Sequence, residues 1–284
     1  MKAELVWSVG ARLGEGPLWV PESGWLWFVD IKQGVLHRFT PEGGARDSFP
    51  LGGQPSFVVA ADDGGLVIGS DLQLFGFRPE TGLTPLAAVP ATPGDRTNDG
   101  CVDRAGRLWF GTMHDGERDA TGRIWCYRHG AAAPEPLAGG CVITNGPAVS
   151  PDGAWLYHVD TLAGIIWRHA LHDDGGLGPG TRFAEIQPSE GHPDGIVCDA
   201  EGGLWVALWG GAAAVRYSPA GQRTDRVALP CAQPTKLALG GRDLRTAYVT
   251  SAAIGLDPAA HPHAGGLFAF EVAVPGFAAP KVAL

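Results

Sequence analysis

The sequence predicts an all-β fold, a six-bladed β-propeller, on three observations: an apolar strand that recurs six times, a turn in fixed register before each copy, and an opening strand with no hairpin partner of its own. The recurring strand reads WLWFVD (25–30), GLVIGSD (65–71), RLWFGT (107–112), WLYHVDT (155–161), GLWVAL (203–208) and TAYVTSA (246–252). Ahead of it lies a Gly- or Asp-bearing turn, as in DRAGR (103–107), SPDGA (150–154) and DAEGG (199–203). Another short apolar run precedes the turn, which makes a hairpin. A third strand follows, as VLHRFTPEG (35–43), LFGFRPETG (74–82), RIWCYRHG (123–130), IIWRHAL (165–171), AVRYSPAG (214–221) and GLFAFEV (266–272). Three or more antiparallel strands in roughly 40 to 50 residues make one blade. Six such units fill residues 1–284 as a single domain. The opening strand AELVWSV (3–9) is expected to pair with the last blade and close the ring, which removes an edge that would invite aggregation. A two-sheet sandwich also has short strands and regular turns, but it does not call for six copies of one hairpin.

The composition agrees. A hydrophobic content of 45% with 18% charged residues belongs to a folded globular chain and not to a disordered one. The 43 glycines and 23 prolines are spread along the chain, as many turns between short strands require. A formal charge of −9 without any Lys/Arg cluster argues against a nucleic-acid partner. The start, MKAELVWSVG, has no apolar signal region, and no window approaches about 18 apolar residues. Neither export nor membrane insertion is therefore expected, and a cytoplasmic location is. Cysteines 101, 126, 141, 198 and 231 stand singly, without a CxxC pair, and are expected to be buried free thiols. The tryptophans Trp27, Trp109, Trp167, Trp205 and Trp209 lie in or beside the blade strands and are read as inter-blade core. A monomer is the expected state.

The repeat also locates the centre. Counting eight places back from Ser23, Gly64, Gly106, Gly153, Gly202 and Asp243 lands on Glu15, Ser56, Asn98, Asn145, Asp194 and Thr235, all oxygen-bearing. In a propeller these positions start the innermost strands and ring the mouth of the central channel. Glu15, Asn98, Asn145 and Asp194 can ligate a divalent cation, and an oxygen-only set suits calcium, magnesium, manganese or ferrous iron, with zinc also open. Glycine follows closely in GEGP (14–17), TNGP (144–147), HPDG (192–195) and RTNDG (96–100), where it permits a tight turn and close approach of a ligand. Asn, Asp and Gly also form ordinary turns, but turn formation neither requires Glu15 nor collects four such residues in one register.

These pieces resemble the senescence marker protein/gluconolactonase/regucalcin family of six-bladed propellers. The resemblance rests on LGEGP (13–17), RTNDG (96–100), GTM (111–113), TNGP (144–147), HPDG (192–195) with DAEGGLWVA (199–207), and HAGGLF (263–268), in order over about residues 13 to 270. Further similarity to the xylonolactonase type of bacterial sugar lactonase lies in ITNGP (143–147), TMHDGE (112–117) and ALWGG (207–211). The resemblance implies that Glu15, Asn145 and Asp194 bind one divalent metal ion, and that Arg96 and Asn98 lie beside the substrate, with Asn98 close enough to be a further ligand. Some members carry a sugar-binding glutamate three residues after GTM, where this chain has Gly116, with His114 and Asp115 just before it.

The reaction that this resemblance implies is hydrolysis of a sugar lactone, a pentono- or hexonolactone and foremost D-xylonolactone, to the aldonic acid. The metal, calcium, ferrous iron, zinc or manganese, is expected to polarise the lactone carbonyl. Asp194 is the candidate catalytic carboxylate, assisting deprotonation of water. Arg96, Asn98, His114 and Asp115 are the candidate substrate-binding residues. His192 and His158 are read as supporting residues. No GxSxG elbow and no P-loop is present. Two other functions fit the same scaffold: a metal-dependent hydrolase of another ester or a phosphotriester, and a non-catalytic calcium-binding propeller.

Overall fold

In a computed structural model, which describes residues 2–284, the strands form six four-stranded antiparallel sheets. Five blades are consecutive in sequence. Their inner strands are Gly14–Val20, Pro55–Ala60, Asp95–Val102, Thr144–Val149 and His192–Cys198. Blade six, with inner strand Pro234–Gly240, takes its outermost strand from the other end of the chain. Glu4 pairs with Ala269 and Leu5 with Phe268, antiparallel, so the opening strand closes the ring as its lack of a local partner predicts. The six recurring hairpins are the inner and second strands of the blades.

Why the strands read as continuous apolar runs follows from the packing. Adjacent side chains of one strand point to opposite faces, and here both faces of a blade meet a neighbour. Leu18 packs with Val58 and Ile68 of blade two, while the next residue, Trp19, stacks on Tyr248 of blade six with ring centroids 5.8 Å apart. Six apolar clusters result, one at each blade-to-blade interface. Each large side chain buried in them contributes about 1.5–3 kcal/mol, so the interfaces hold the ring more than any single hairpin does. Trp27, Trp109 and Trp205 are buried in these clusters, whereas Trp167 and Trp209 are only partly buried.

The fourth, outermost strands, such as Arg46–Pro50, Thr181–Glu185 and Arg223–Ala228, are largely exposed. Among the described residues the only helical segment is a single 3-10 turn, Pro188–Glu190, and no helix is long and apolar enough to cross a membrane.

The C-terminal segment leaves blade six and crosses the far end of the channel. Its backbone bonds blade five (Ala200 N to Pro275 O, 2.9 Å), blade two (Val282 N to Ala60 O, 2.8 Å) and blade three (Ala283 N to Gly106 O, 3.1 Å). Phe277 and Pro280, with Val58, Val102, Ile196 and Leu237, line a cavity of about 130 Å³ at that end.

Candidate functional site at the channel mouth

The six positions reached by counting all lie near the starts of the inner strands, at the opposite end of the channel from the C-terminal segment. Each inner strand shifts register at this point: between Glu15 and Leu18, Pro55 and Phe57, Thr97 and Gly100, Asn145 and Ala148, Pro193 and Ile196, and Pro234 and Leu237. A bulge re-aims a side chain and interrupts pairing locally, so the repeat places six re-aimed side chains around one mouth. Glycine makes the irregularity possible. Gly16 and Gly146 hold φ of 55° and 68°, and a Cβ on Gly195 would come within 2.4 Å of Lys236 Cβ.

All six ring side chains are buried, but they are not equivalent. Ser56 and Thr235 are spent on the scaffold: Ser56 Oγ bonds Thr97 Oγ1 at 2.7 Å, and Thr235 Oγ1 donates to Gly14 O at 2.6 Å. Asn145 is anchored through its nitrogen, which donates to Thr161 Oγ1 at 2.9 Å. That leaves Oδ1 turned toward Asn98, whose Nδ2 lies 3.0 Å away. Asn98 has no such freedom, because its Oδ1 accepts from Arg96 NH1 at 2.6 Å and its Nδ2 also reaches Thr144 O at 2.6 Å. Asn145 Oδ1, which accepts only the neutral amide of Asn98, keeps a lone pair to offer a cation, and Asn98 serves as the link from Arg96 to it.

Three carboxylates gather here with one ammonium. Burial, followed by the charge of Asp99, pushes Glu15 up to about 8, against the backbone N–H of Gly16, Lys236 and Arg96. Burial, then Glu15 and Asp99, raises Asp194 well above the carboxylate range. Burial also raises Asp99, although Lys236 opposes the shift. Lys236 is ion-paired with Asp99 and both are buried, so one negative charge is compensated. Asp99 Oδ2 has no hydrogen-bond partner. Glu15 and Asp194 are left as two buried carboxyls without an ion-paired cationic side chain, which resist ionising together, and a divalent cation between them would favour the ionised form of both. Among the described residues no three His, Cys, Asp or Glu side chains form a metal cluster. Any oxygen donor set at this mouth would have to be mixed, drawing on the amide of Asn145 as well as on the carboxylates.

A second group adjoins the first. Arg96, with a side chain only 4% exposed, donates from Nε to Asp115 Oδ1 at 2.9 Å. Lys32 Nζ donates to the same oxygen at 2.7 Å and to Gln54 Oε1 at 2.7 Å. Partial burial alone would raise Asp115, but Lys32 and Arg96 outweigh it and hold the carboxyl below its ordinary value.

Of the candidate residues, Glu15, Arg96, Asn98, Asp115, Asn145 and Asp194 therefore converge on one mouth. His114 turns back on its own loop, where Nδ1 accepts from Gly116 N at 3.1 Å and Nε2 lies 3.6 Å from Asp119. The same ring explains the glycine at 116, since a Cβ there would come within 2.9 Å of His114. His158 bonds His169, Nε2 to Nε2 at 3.1 Å, inside blade four, and His192 pairs with Trp209 at the upper end of blade five. Lys236, Asp99, Lys32 and Gln54 also belong to this mouth and are not among the residues the sequence predicts. Asp99 and Lys236 each follow a ring residue directly, so the same count moved by one place would have found both. Lys32 and Gln54 carry no repeat signal. The cysteines are free; Cys126, Cys141, Cys198 and Cys231 are buried, and burial raises all five thiols.

Comparison with known proteins gives the same direction. The SMP-30/Gluconolactonase/LRE-like region matches residues 13–253. A 6-deoxy-6-sulfogluconolactonase of Pseudomonas putida is 36% identical over 95% of this chain and 95% of its own length. An L-arabinolactonase of Azospirillum brasilense is 34% identical over 99% of this chain and 96% of its own. Among solved structures, a calcium-binding regucalcin from Agrobacterium tumefaciens superposes with a TM-score of 0.94 at 33% identity, covering 99% of this chain and 97% of that one.

Proposed function

The chain belongs to the SMP-30/gluconolactonase/LRE-like family, and from that premise we propose that it is a sugar lactonase whose centre is the cation-ready mouth formed by Glu15, Asn145 and Asp194. The observation that carries this reading is the pair of buried carboxylates, Glu15 and Asp194, beside a buried arginine at the same mouth. Relatives named for sulfogluconolactone and arabinolactone support the substrate class, and the regucalcin described as calcium-binding supports a divalent metal. The sugar we propose is a pentono- or hexonolactone, D-xylonolactone first, on the motifs around residues 112–117, 143–147 and 207–211.

A bound divalent cation would supply Lewis-acid polarisation of the lactone carbonyl. Glu15, Asn145 and Asp194 would hold it. Asp194 would take the proton from the attacking water as the new C–O bond forms at the carbonyl carbon. Breakage of the ring C–O bond then frees the sugar hydroxyl and leaves the aldonic acid. Arg96 would donate to the substrate from a position already fixed by Asn98 and Asp115, so little ordering is left for the moment of binding. Asn98 keeps that guanidinium in register with Asn145. His114, held within its own loop, would serve as the wall of the pocket on the blade-three side.

Calcium, ferrous iron, zinc and manganese are the metals to test. We place the protein in the cytoplasm as a monomer, in keeping with its free thiols and closed ring. A pH-stat assay on a panel of pentono- and hexonolactones, with and without chelator, tests the reading. Hydrolysis that a chelator abolishes and one of these metals restores is the expected result. Retained calcium binding with no turnover of any lactone would favour a non-catalytic calcium-binding propeller instead.

A further inference from the structure

We infer that Lys32, with Gln54 and Asp115, forms a subsite for an anionic substituent carried by the lactone away from its ring carbonyl. The subsite is assembled from three blades. Lys32 sits on the turn between the second and third strands of blade one, Gln54 just before the inner strand of blade two, and Asp115 just after the second strand of blade three. Nothing in a local stretch of sequence joins them, since Lys32 and Asp115 are 83 positions apart.

The charge balance at this point is uneven. One oxygen, Asp115 Oδ1, accepts from both Lys32 Nζ at 2.7 Å and Arg96 Nε at 2.9 Å. One carboxylate therefore stands between two cations; Arg96 also faces Glu15 and Glu117, whereas Lys32 has only the shared Asp115 as an ion-pair partner among the described residues. Lys32 is also the reachable cation: its side chain is 23% exposed, while that of Arg96 is 4% exposed with its donors turned to Asp115, Thr97 and Asn98. An ammonium has three donors. Two are used here, on Asp115 and on Gln54 Oε1. The third is left for a ligand. The other acids of the blade-three loop, Glu117 and Asp119, are exposed to solvent with Arg118 between them; Glu117 acts on Arg96, and neither pairs with Lys32.

Arg96 ties this group to the centre, because its guanidinium bonds Asn98 on one side and Asp115 on the other. A lactone whose carbonyl lies at the Glu15–Asp194 side would extend its exocyclic end past Arg96 toward Lys32. A hydroxyl there exchanges one neutral hydrogen bond for another with water. A carboxylate or sulfonate gains a charge-assisted bond to a cation whose only anionic partner is already shared. The expected specificity is thus for lactones bearing an anion at the end remote from the ring carbonyl.

The ring-opening part of this inference rests on the lactonase reading; the anion subsite does not. The γ-lactones of gluconate and glucarate make a matched pair that differs only in a terminal hydroxymethyl or carboxylate. Lys32→Met should lower kcat/KM for the glucarate lactone about tenfold, through KM, as loss of a charge-assisted bond predicts. The gluconate lactone should change by less than about twofold, and Lys32→Arg should restore much of the difference. Removal of Lys32 leaves Asp115 paired with Arg96, so the fold is retained. Equal effects on both lactones, or none on either, would overturn the subsite. Calorimetric binding of glucarate against gluconate, in wild type and Lys32→Met, reads the same subsite without turnover. If the wild type hydrolyses neither lactone yet binds glucarate through Lys32, the lactonase reading falls and the subsite stands; glucarate binding indifferent to Lys32 removes it.

Discussion

The two ends of the central channel are made by the same six strands and are built on opposite principles. At the upper end the inner strands begin with register shifts and present Glu15, Asn98, Asn145 and Asp194, and three buried carboxylates share a single buried lysine. At the lower end the same strands continue in regular pairing with Leu18, Val58, Val102, Ile196 and Leu237, and the C-terminal segment lies across them. The upper end carries unfavourable like charges that a cation would relieve. The lower end carries apolar burial and backbone bonds to three blades, which supply the rigidity that the upper end draws on. Sixfold repetition in the backbone is therefore compatible with strong asymmetry along the axis, because a bulge at one end of each strand frees side chains without disturbing the other end.

The largest test of this contrast is Asp194→Asn, which removes a carboxylate and keeps the shape. Lactone hydrolysis should fall by at least about a thousandfold, as loss of a general base and ligand together predicts, and metal affinity should fall with it. Stability should move the other way in chelator. Glu15 is raised from 4.5 to about 8, so the folded chain binds more protons than the unfolded one between those values. The stability contributed by protonated Glu15 is present below pH 4.5 and is lost as the pH rises toward 8. Asp194 is itself raised by burial and then by Glu15 and Asp99, so removing it takes away a second group that loses stability as the pH rises, and the urea midpoint of the metal-free protein near neutral pH should go up. A metal-free variant less stable than wild type across this range would mean that the two carboxylates do not oppose each other.

The lower end predicts the reverse pattern. Val282 is fully buried between blades two and three at the point where the C-terminal segment pairs with Ala61. Val282→Ala should cost about 1–2 kcal/mol of stability, seen as a lower urea midpoint. kcat/KM should remain within about twofold of wild type. An activity loss larger than the stability loss accounts for would show that the two ends are coupled.

How much of this could be read without coordinates depends on what buries each residue. The second strands were legible because both of their faces are packed, which leaves aromatic and β-branched runs such as WLWFVD. The outermost strands escaped because Arg46–Pro50 or Arg223–Ala228 pair on one edge only and are otherwise wet, so no apolar pattern marks them. The ring was legible because the bulge falls at one register in every blade, and a count from the turn reaches it. The Asp99–Lys236 pair sits one place further along the same register, at positions where the other blades carry Gly16, Phe57, Gly146 and Gly195, so no shared residue type marks it. Lys32 and Gln54 sit on connections whose residues vary from blade to blade. His114, read as a substrate-side residue from its place after GTM, spends Nδ1 on Gly116, a loop detail that spacing does not encode.

The smallest effect separates burial from charge within the lower end itself. Lys281, next to Val282, pairs with Glu22 at 2.8 Å, and the two side chains are 40% and 62% exposed. The bond to Lys281 lowers the Glu22 carboxyl below its ordinary value, so its contribution is present above the unfolded value and fades as acid protonates it. In solvent such a pair is screened and must also hold two long side chains in one geometry, which limits it to less than about 0.5 kcal/mol. Lys281→Ala should therefore shift the urea midpoint far less than Val282→Ala, and molar salt should erase the difference from wild type. If instead Lys281→Ala matched Val282→Ala, the segment would be held to the ring by charge, and the apolar account of the lower end would have to be replaced.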